Sequence, residues 1–193
     1  MLGAVLCGGK STRMGSDKAL LQLGSKTWAE IAAYKLQQLH IPTCLSVNNA
    51  QATVLRSAVT DVALVEDAIE LDVKGPLLGL LSVHATYPSK DILLLACDMP
   101  YMCVDVLQHL KATFENTTTE AIVFVNGEQL EPLCAIYSAK ALQLLMAKYQ
   151  QQSLVKYSMH YVLQQLEVTT IQVPLQWQNY FTNVNALSDL TNL

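Results

Sequence analysis

The sequence predicts an α/β fold, a three-layer sandwich around a mixed, mostly parallel sheet. Two observations carry this. Short, mostly apolar β-type runs alternate with longer helix-compatible stretches, the pattern of a sheet covered on both faces. Asn126-Gly127 also lies between two strand-like runs, a dipeptide that favours a tight hairpin and so adds an antiparallel strand.

Taken in order, strands are expected at residues 2–6, 43–47, 62–65, 92–97, 121–125, 133–137 and 168–173. Helices are expected at 27–39, 51–57, 76–85, 104–113, 139–149 and 155–165. Pro76 suits a helix start, because the N–H it lacks would be unpaired there in any residue. The Gln-rich stretch at 150–152 reads as an exposed turn. No linker, repeat or low-complexity block interrupts the pattern, and 193 residues suit a single domain spanning 1–193, since domains commonly hold about 100–200 residues.

Composition excludes several functions. Hydrophobic residues make up 51% of the chain and charged residues only 15%, below the roughly 25% of an average soluble domain. This implies a generous core or an apolar contact surface. A formal net charge of −4 without a basic run argues against nucleic-acid binding, which needs clustered Lys and Arg. The apolar runs fall far short of the roughly 20 residues of a membrane helix. With no signal-peptide pattern at the start, a cytoplasmic location is expected. The five cysteines include no C-x-x-C pair and the four histidines no metal-ligand spacing, so reduced, mostly buried thiols and packing or surface histidines are expected.

The first strand runs into Leu6-Cys7-Gly8-Gly9-Lys10-Ser11-Thr12-Arg13-Met14-Gly15-Ser16-Asp17-Lys18. Such a loop lets backbone N–H groups close on phosphate oxygens while basic side chains neutralise them. Gly9-Lys10-Ser11 also ends like a phosphate-binding P-loop, with residues 92–98 as its acidic strand. That reading requires glycine where Ala4 stands, inside the apolar strand, which leaves the loop too short to curl around a phosphate.

Asp98 follows an apolar run that reads as a central strand, so its carboxylate emerges at the carboxyl edge, where open α/β sheets bind ligands. Mg2+ takes one or two carboxylates together with phosphates and water, a role open to Asp98. A helix N-cap is the competing role. Asn48 and Asp67 end the second and third strands, as binding groups or as turn residues. Glu131 is either an active-site carboxylate or a strand-end charge.

With Arg13-Met14-Gly15 and Asp17-Lys18, the loop resembles the signature L-A-G-G-x-S-x-R-M-G-x-D-K of the molybdenum cofactor guanylyltransferase family, with Cys7 in place of Ala. The resemblance continues through Glu66-Asp67, Gly75-Pro76-Leu77-Leu78-Gly79, Cys97-Asp98-Met99-Pro100, Glu131-Pro132-Leu133 and Phe181-Thr182-Asn183-Val184-Asn185, in order along the chain. It departs at Ala186-Leu187, where the family carries Thr-Pro.

The resemblance implies a Rossmann-like nucleotide-diphospho-sugar transferase fold and transfer of GMP from GTP to the phosphate of the molybdopterin cofactor, with pyrophosphate released. Transient contacts with cofactor-delivery proteins and molybdoenzymes are implied as well. By match to the family, Leu6, Cys7, Gly8, Gly9, Asn48, Asp67, Asn183 and Asn185 would contact nucleotide or pterin. Arg13 and Lys18 would face the triphosphate, and Asp98 would hold Mg2+. Relatives that use CTP carry L-A-A-G at the loop, so Gly8 favours guanine. A non-catalytic nucleotide-binding relative is the remaining alternative.

Overall fold

The structure is a computed structural model that describes residues 1–8, 17–59 and 61–184. Strand β1 (Leu2–Leu6) leads through a 3-10 turn (Lys18–Leu20) to a small hairpin of β2 (Gln22–Leu23) and β3 (Lys26–Thr27), and then to α1 (Trp28–Gln37). There follow β4 (Thr43–Val47), α2 (Asn49–Ala58), β5 (Ala63–Glu66), α3 (Pro76–Thr86), β6 (Ile92–Ala96) and α4 (Val104–Glu115). The chain continues with β7 (Ala121–Asn126), β8 (Gln129–Tyr137), α5 (Ala139–Gln150), α6 (Met159–Leu163), β9 (Val168–Gln172) and a 3-10 segment (Leu175–Phe181).

Seven strands form one sheet in the order β5-β4-β1-β6-β8-β7-β9. Pairings are parallel except those of β8, which runs antiparallel to both β6 and β7. The expected mixed sheet is therefore present, and the hairpin turns where the sequence places it. Asn126 pairs with Gln129, and Gly127 takes a φ of 64° between them, a left-handed value that suits glycine.

The strand at the centre explains the apolar runs: every residue of β1 and of β6 is buried, because helices cover both faces. One face packs Ala29, Ala33 and Leu36 of α1, Leu55 of α2 and Leu107 of α4 against Val5, Leu93 and Leu95. The other packs Leu77, Leu80 and Leu81 of α3, Leu142 of α5 and Val162 of α6 against Ala4, Leu94 and Tyr137. These are the three layers that the alternation predicts.

Several elements differ from expectation. The helix expected at 155–165 forms only over Met159–Leu163, started by Ser158, whose hydroxyl accepts from the Tyr161 N–H. Residue 27 caps α1 rather than joining it: the Thr27 hydroxyl accepts from the Glu30 N–H, and the Glu30 carboxylate accepts from the Thr27 N–H, a capping box. Strand β8 starts four residues before the expected 133 because it carries a bulge. Pro132 lies in that bulge, where its missing N–H costs no ladder bond.

Candidate active site

Strand order decides where a ligand can bind. From β1 the chain steps outward through β4 to β5, then returns by α3 to β6 on the other side of β1. The crevice at the carboxyl ends of β1 and β6 is thus the topological switch point, the usual ligand position in open α/β sheets.

Two charged residues meet there. Asp98 stands just beyond β6, and Lys18 opens the 3-10 turn beyond the glycine-rich loop. Lys18 Nζ lies 3.1 Å from Asp98 Oδ2, with about a quarter of each side chain exposed (22% and 25%). The neighbouring Asp17 accepts from the Ala19 N–H at 3.0 Å, which caps the turn and fixes where Lys18 leaves the backbone. The backbone of Asp98 is held as well: its carbonyl accepts from the Val184 N–H at 3.0 Å. This bond brings the exposed Asn183 beside the Asp98 turn.

A cavity of about 640 Å3 opens at the same edge, lined by Leu6, Gly8, Asn48 and Asp67 together with residues between Val73 and Gly79 other than Leu77. Its size falls in the range of small-molecule sites. Four sequence-predicted residues therefore share one pocket. Burial raises the pKa of the Asp67 carboxyl above its ordinary value.

The Gly75-Pro76-Leu77-Leu78-Gly79 motif builds one wall of this cavity. Gly75 takes a φ of 75°, which few other residues adopt, and Pro76 follows as the first residue of α3. A Cβ at position 79 would lie 2.5 Å from Ser46 Oγ and 2.8 Å from Leu6 Cδ2, so only glycine lets α3 approach β1 and β4 this closely.

Cys7 faces the other way. Its side chain sinks into the core beneath α1, and its thiol pKa is pushed well up, first by a hydrogen bond with Cys97 and then by burial. The departure from alanine in the loop signature is therefore absorbed by packing. The Cys7 N–H is given to the Ser46 carbonyl at 3.0 Å.

Gln51 is a site residue that sequence reasoning missed. Its amide donates to the Cys7 carbonyl at 2.8 Å. Its oxygen accepts from the Asn48 N–H at 3.0 Å, while the Asn48 side chain accepts from the Gln51 N–H at 2.9 Å. Asn48 is thus an N-cap and a pocket residue at once, and this capping box is tied to the root of the glycine-rich loop.

Glu131 sits in the β8 bulge at the same sheet edge, because β8 runs antiparallel to β6 with Cys134 opposite Leu95. Burial raises its pKa, opposed by a hydrogen bond from Asn126. Gly9, Arg13 and Asn185, also expected in the site, lie outside the described residues, as do Lys10 and Ala186-Leu187.

The fold and the Lys18–Asp98 pair at its switch point define a nucleotidyltransferase. The model of the MobA-like NTP transferase domain matches residues 3–168, and the chain belongs to that family. It is 27% identical over 197 residues to a protein described as probable molybdenum cofactor guanylyltransferase from Peptoclostridium acidaminophilum, covering 96% of this chain and 85% of that one. A similarly described protein from Methanothermobacter thermautotrophicus is 36% identical over 142 residues, 71% of each chain. Among solved structures, molybdopterin-guanine dinucleotide biosynthesis protein A from Archaeoglobus fulgidus is similar with a TM-score of 0.80 and 23% identity, covering 99% of this chain and 95% of that one.

The family generally uses a divalent metal, and the donor chemistry here can be tested against one. Among the described residues no group of three or more His, Cys, Asp or Glu side chains gathers to form a protein-only metal cage. A single carboxylate at a ligand crevice suits an ion that takes its other ligands from phosphates and water, as Mg2+ does. Asp98 fits that role.

Proposed function

We propose that this chain transfers GMP from GTP to the terminal phosphate of the molybdopterin cofactor, giving the guanine dinucleotide form and pyrophosphate. The observation that carries the reading is the Lys18–Asp98 pair beside a cavity lined by Asn48 and Asp67. Relatives described as guanylyltransferases over most of their length support it.

In this reading the cavity takes the guanosine, with the Asp67 carboxylate able to accept from the guanine N–H groups. A phosphate oxygen of the pterin attacks the α-phosphorus of GTP, a new P–O bond forms, and the bond to the bridging oxygen breaks to free pyrophosphate. Charge grows on the α-phosphate oxygens and on the leaving group, so fixed cationic groups aimed at them lower the barrier. Lys18 supplies one such group and Arg13 a second. Asp98 would hold Mg2+, which when bound would supply positive charge against the phosphates and the leaving pyrophosphate.

Asn183 and Asn185 would contact nucleotide or pterin. The segment 1–193 acts as one nucleotidyltransferase domain in the cytoplasm, with transient contacts to cofactor-delivery proteins and molybdoenzymes. No described helix is long and apolar enough to cross a membrane. The test is transfer of label from α-phosphate-labelled GTP, and in parallel CTP, to molybdopterin with Mg2+. Transfer from GTP alone supports the proposal, and transfer from CTP alone replaces it with cytidylyl transfer.

A further inference from the structure

Between Asp98 and α4 the chain makes a tight turn. Met99 N–H bonds to the Ala96 carbonyl at 3.3 Å and Met102 N–H to the Met99 carbonyl at 3.1 Å. Pro100 brings no N–H of its own, so its carbonyl is the group by which the middle of the turn can be held. That carbonyl accepts a hydrogen bond from Lys35 Nζ, which reaches across from α1. Tyr101 then packs against Leu21, Trp28 and Val184. The turn that presents Asp98 is thus gripped by α1 through Lys35 and by the C-terminal segment through Val184.

The choice of lysine needs a reason. Lys35 is half-buried, and among the described residues its ammonium has no carboxylate within ion-pair distance. An ammonium withdrawn from water and given only a neutral acceptor is a poor source of stability, and an apolar residue of similar length would fill the same place against α4. What lysine adds is a strong, long-reaching bond to one particular carbonyl, two residues beyond Asp98.

We infer that Lys35 is a positioning residue for nucleotidyl transfer: it clamps the Pro100 carbonyl and so holds the Asp98 carboxylate at the angle at which it meets Lys18, at a cost to fold stability. This rests on the reading of Asp98 as the metal-holding carboxylate. Burial lowers the pKa of Lys35 to about 8, opposed by the nearby Cys103 at the head of α4, the one titratable group that acts on it among the described residues. The direction agrees with an ammonium kept where folding disfavours it.

The experiment compares wild type with Lys35→Met, which keeps the stem and removes the donor, and with Lys35→Arg, which keeps a charged donor of at least the same reach. Amide hydrogen exchange on the free protein is read at Met102 and Val184, together with melting temperature at pH 7 and the kcat and KM of GTP-dependent label transfer. The expected result for Lys35→Met is exchange faster by about tenfold at those two amides, from loss of a charged hydrogen bond. With it, kcat falls about tenfold, KM for GTP stays within about twofold, and melting temperature is not reduced. Lys35→Arg is expected to recover most of the exchange protection and rate.

Unchanged exchange and kcat in Lys35→Met would overturn the inference. So would a lower melting temperature with faster exchange throughout the sheet, which marks an ordinary structural brace, or an Arg variant as impaired as Met. Exchange requires neither GTP nor acceptor. A wild type that transfers no label therefore defeats the proposed function, while exchange at Met102 and Val184 still decides whether Lys35 holds the turn.

Discussion

Lys18 and Asp98, eighty positions apart, meet at 3.1 Å beyond the carboxyl ends of the paired strands β1 and β6. No other described ion pair joins two loops at the carboxyl edge of the sheet in this way. Asp98→Asn keeps the size of the side chain and removes its charge, so label transfer is expected to fall by a factor on the order of 10²–10³, the scale of losing a main electrostatic group. The melting temperature should hold, because the carboxylate is part-exposed. An Asp98→Asn enzyme with wild-type turnover in Mg2+ would refute the metal assignment.

Lysine substitutions separate this site from a P-loop. Lys18→Ala should weaken GTP binding and transfer on the order of a hundredfold, with Lys10→Ala the milder of the two. Equilibrium binding of GTP to both variants checks the order, and the reverse order would indicate phosphate binding by Gly9-Lys10-Ser11.

Gly79 tests the wall of the cavity. Gly79→Ala places a methyl 2.5 Å from Ser46 Oγ, and such overpacking typically costs about 1–3 kcal/mol. Urea unfolding should show the loss, and Ser46→Gly should recover part of it in the double variant because it removes the clashing group. Full additivity of the two changes would mean that α3 moves instead.

Much of the fold was legible because β1 and β6 are buried on both faces and read as unbroken apolar runs. The helix expected at 155–165 was not, because Val155, Met159 and Val162 fall at helical spacing, yet only Met159 and Val162 are buried while Val155 is 77% exposed. The β2–β3 hairpin has two residues per strand, too few for any periodicity to show. Lys18, Asp98, Asn48 and Asp67 could be read because loop chemistry and strand ends mark them. Gln51 and Lys35 could not, since each bonds a backbone carbonyl, 44 and 65 positions away respectively, and no local pattern records such a partner.

Gln51 accordingly yields a prediction that sequence alone does not. Gln51→Met keeps the volume but removes the bond to the Cys7 carbonyl and half of the Asn48 capping box. A loss of about 1–3 kcal/mol in unfolding free energy is expected for stranding these buried groups, with a higher KM for GTP as the loop root loosens.

Asp67 adds a pH dependence of defined sign. Its folded pKa is raised by burial above the ordinary 3.8, so the folded state holds its proton more tightly than the unfolded chain. The stability this contributes is full below about pH 3.8 and is lost as pH rises through the folded value. Asp67→Asn should therefore stabilise the protein at neutral pH relative to wild type, with the gain shrinking in acid, while GTP binding weakens. Thermal melts from pH 3 to pH 8 check the sign, and a gain that grows in acid would contradict it.

Guanylyl transfer at the Lys18–Asp98 crevice is tested by incubating α-phosphate-labelled GTP with molybdopterin and Mg2+. Label is expected in the pterin product with pyrophosphate released, and both are expected to be lost in Asp98→Asn. Label transferred from CTP and not GTP, or from neither, would contradict it.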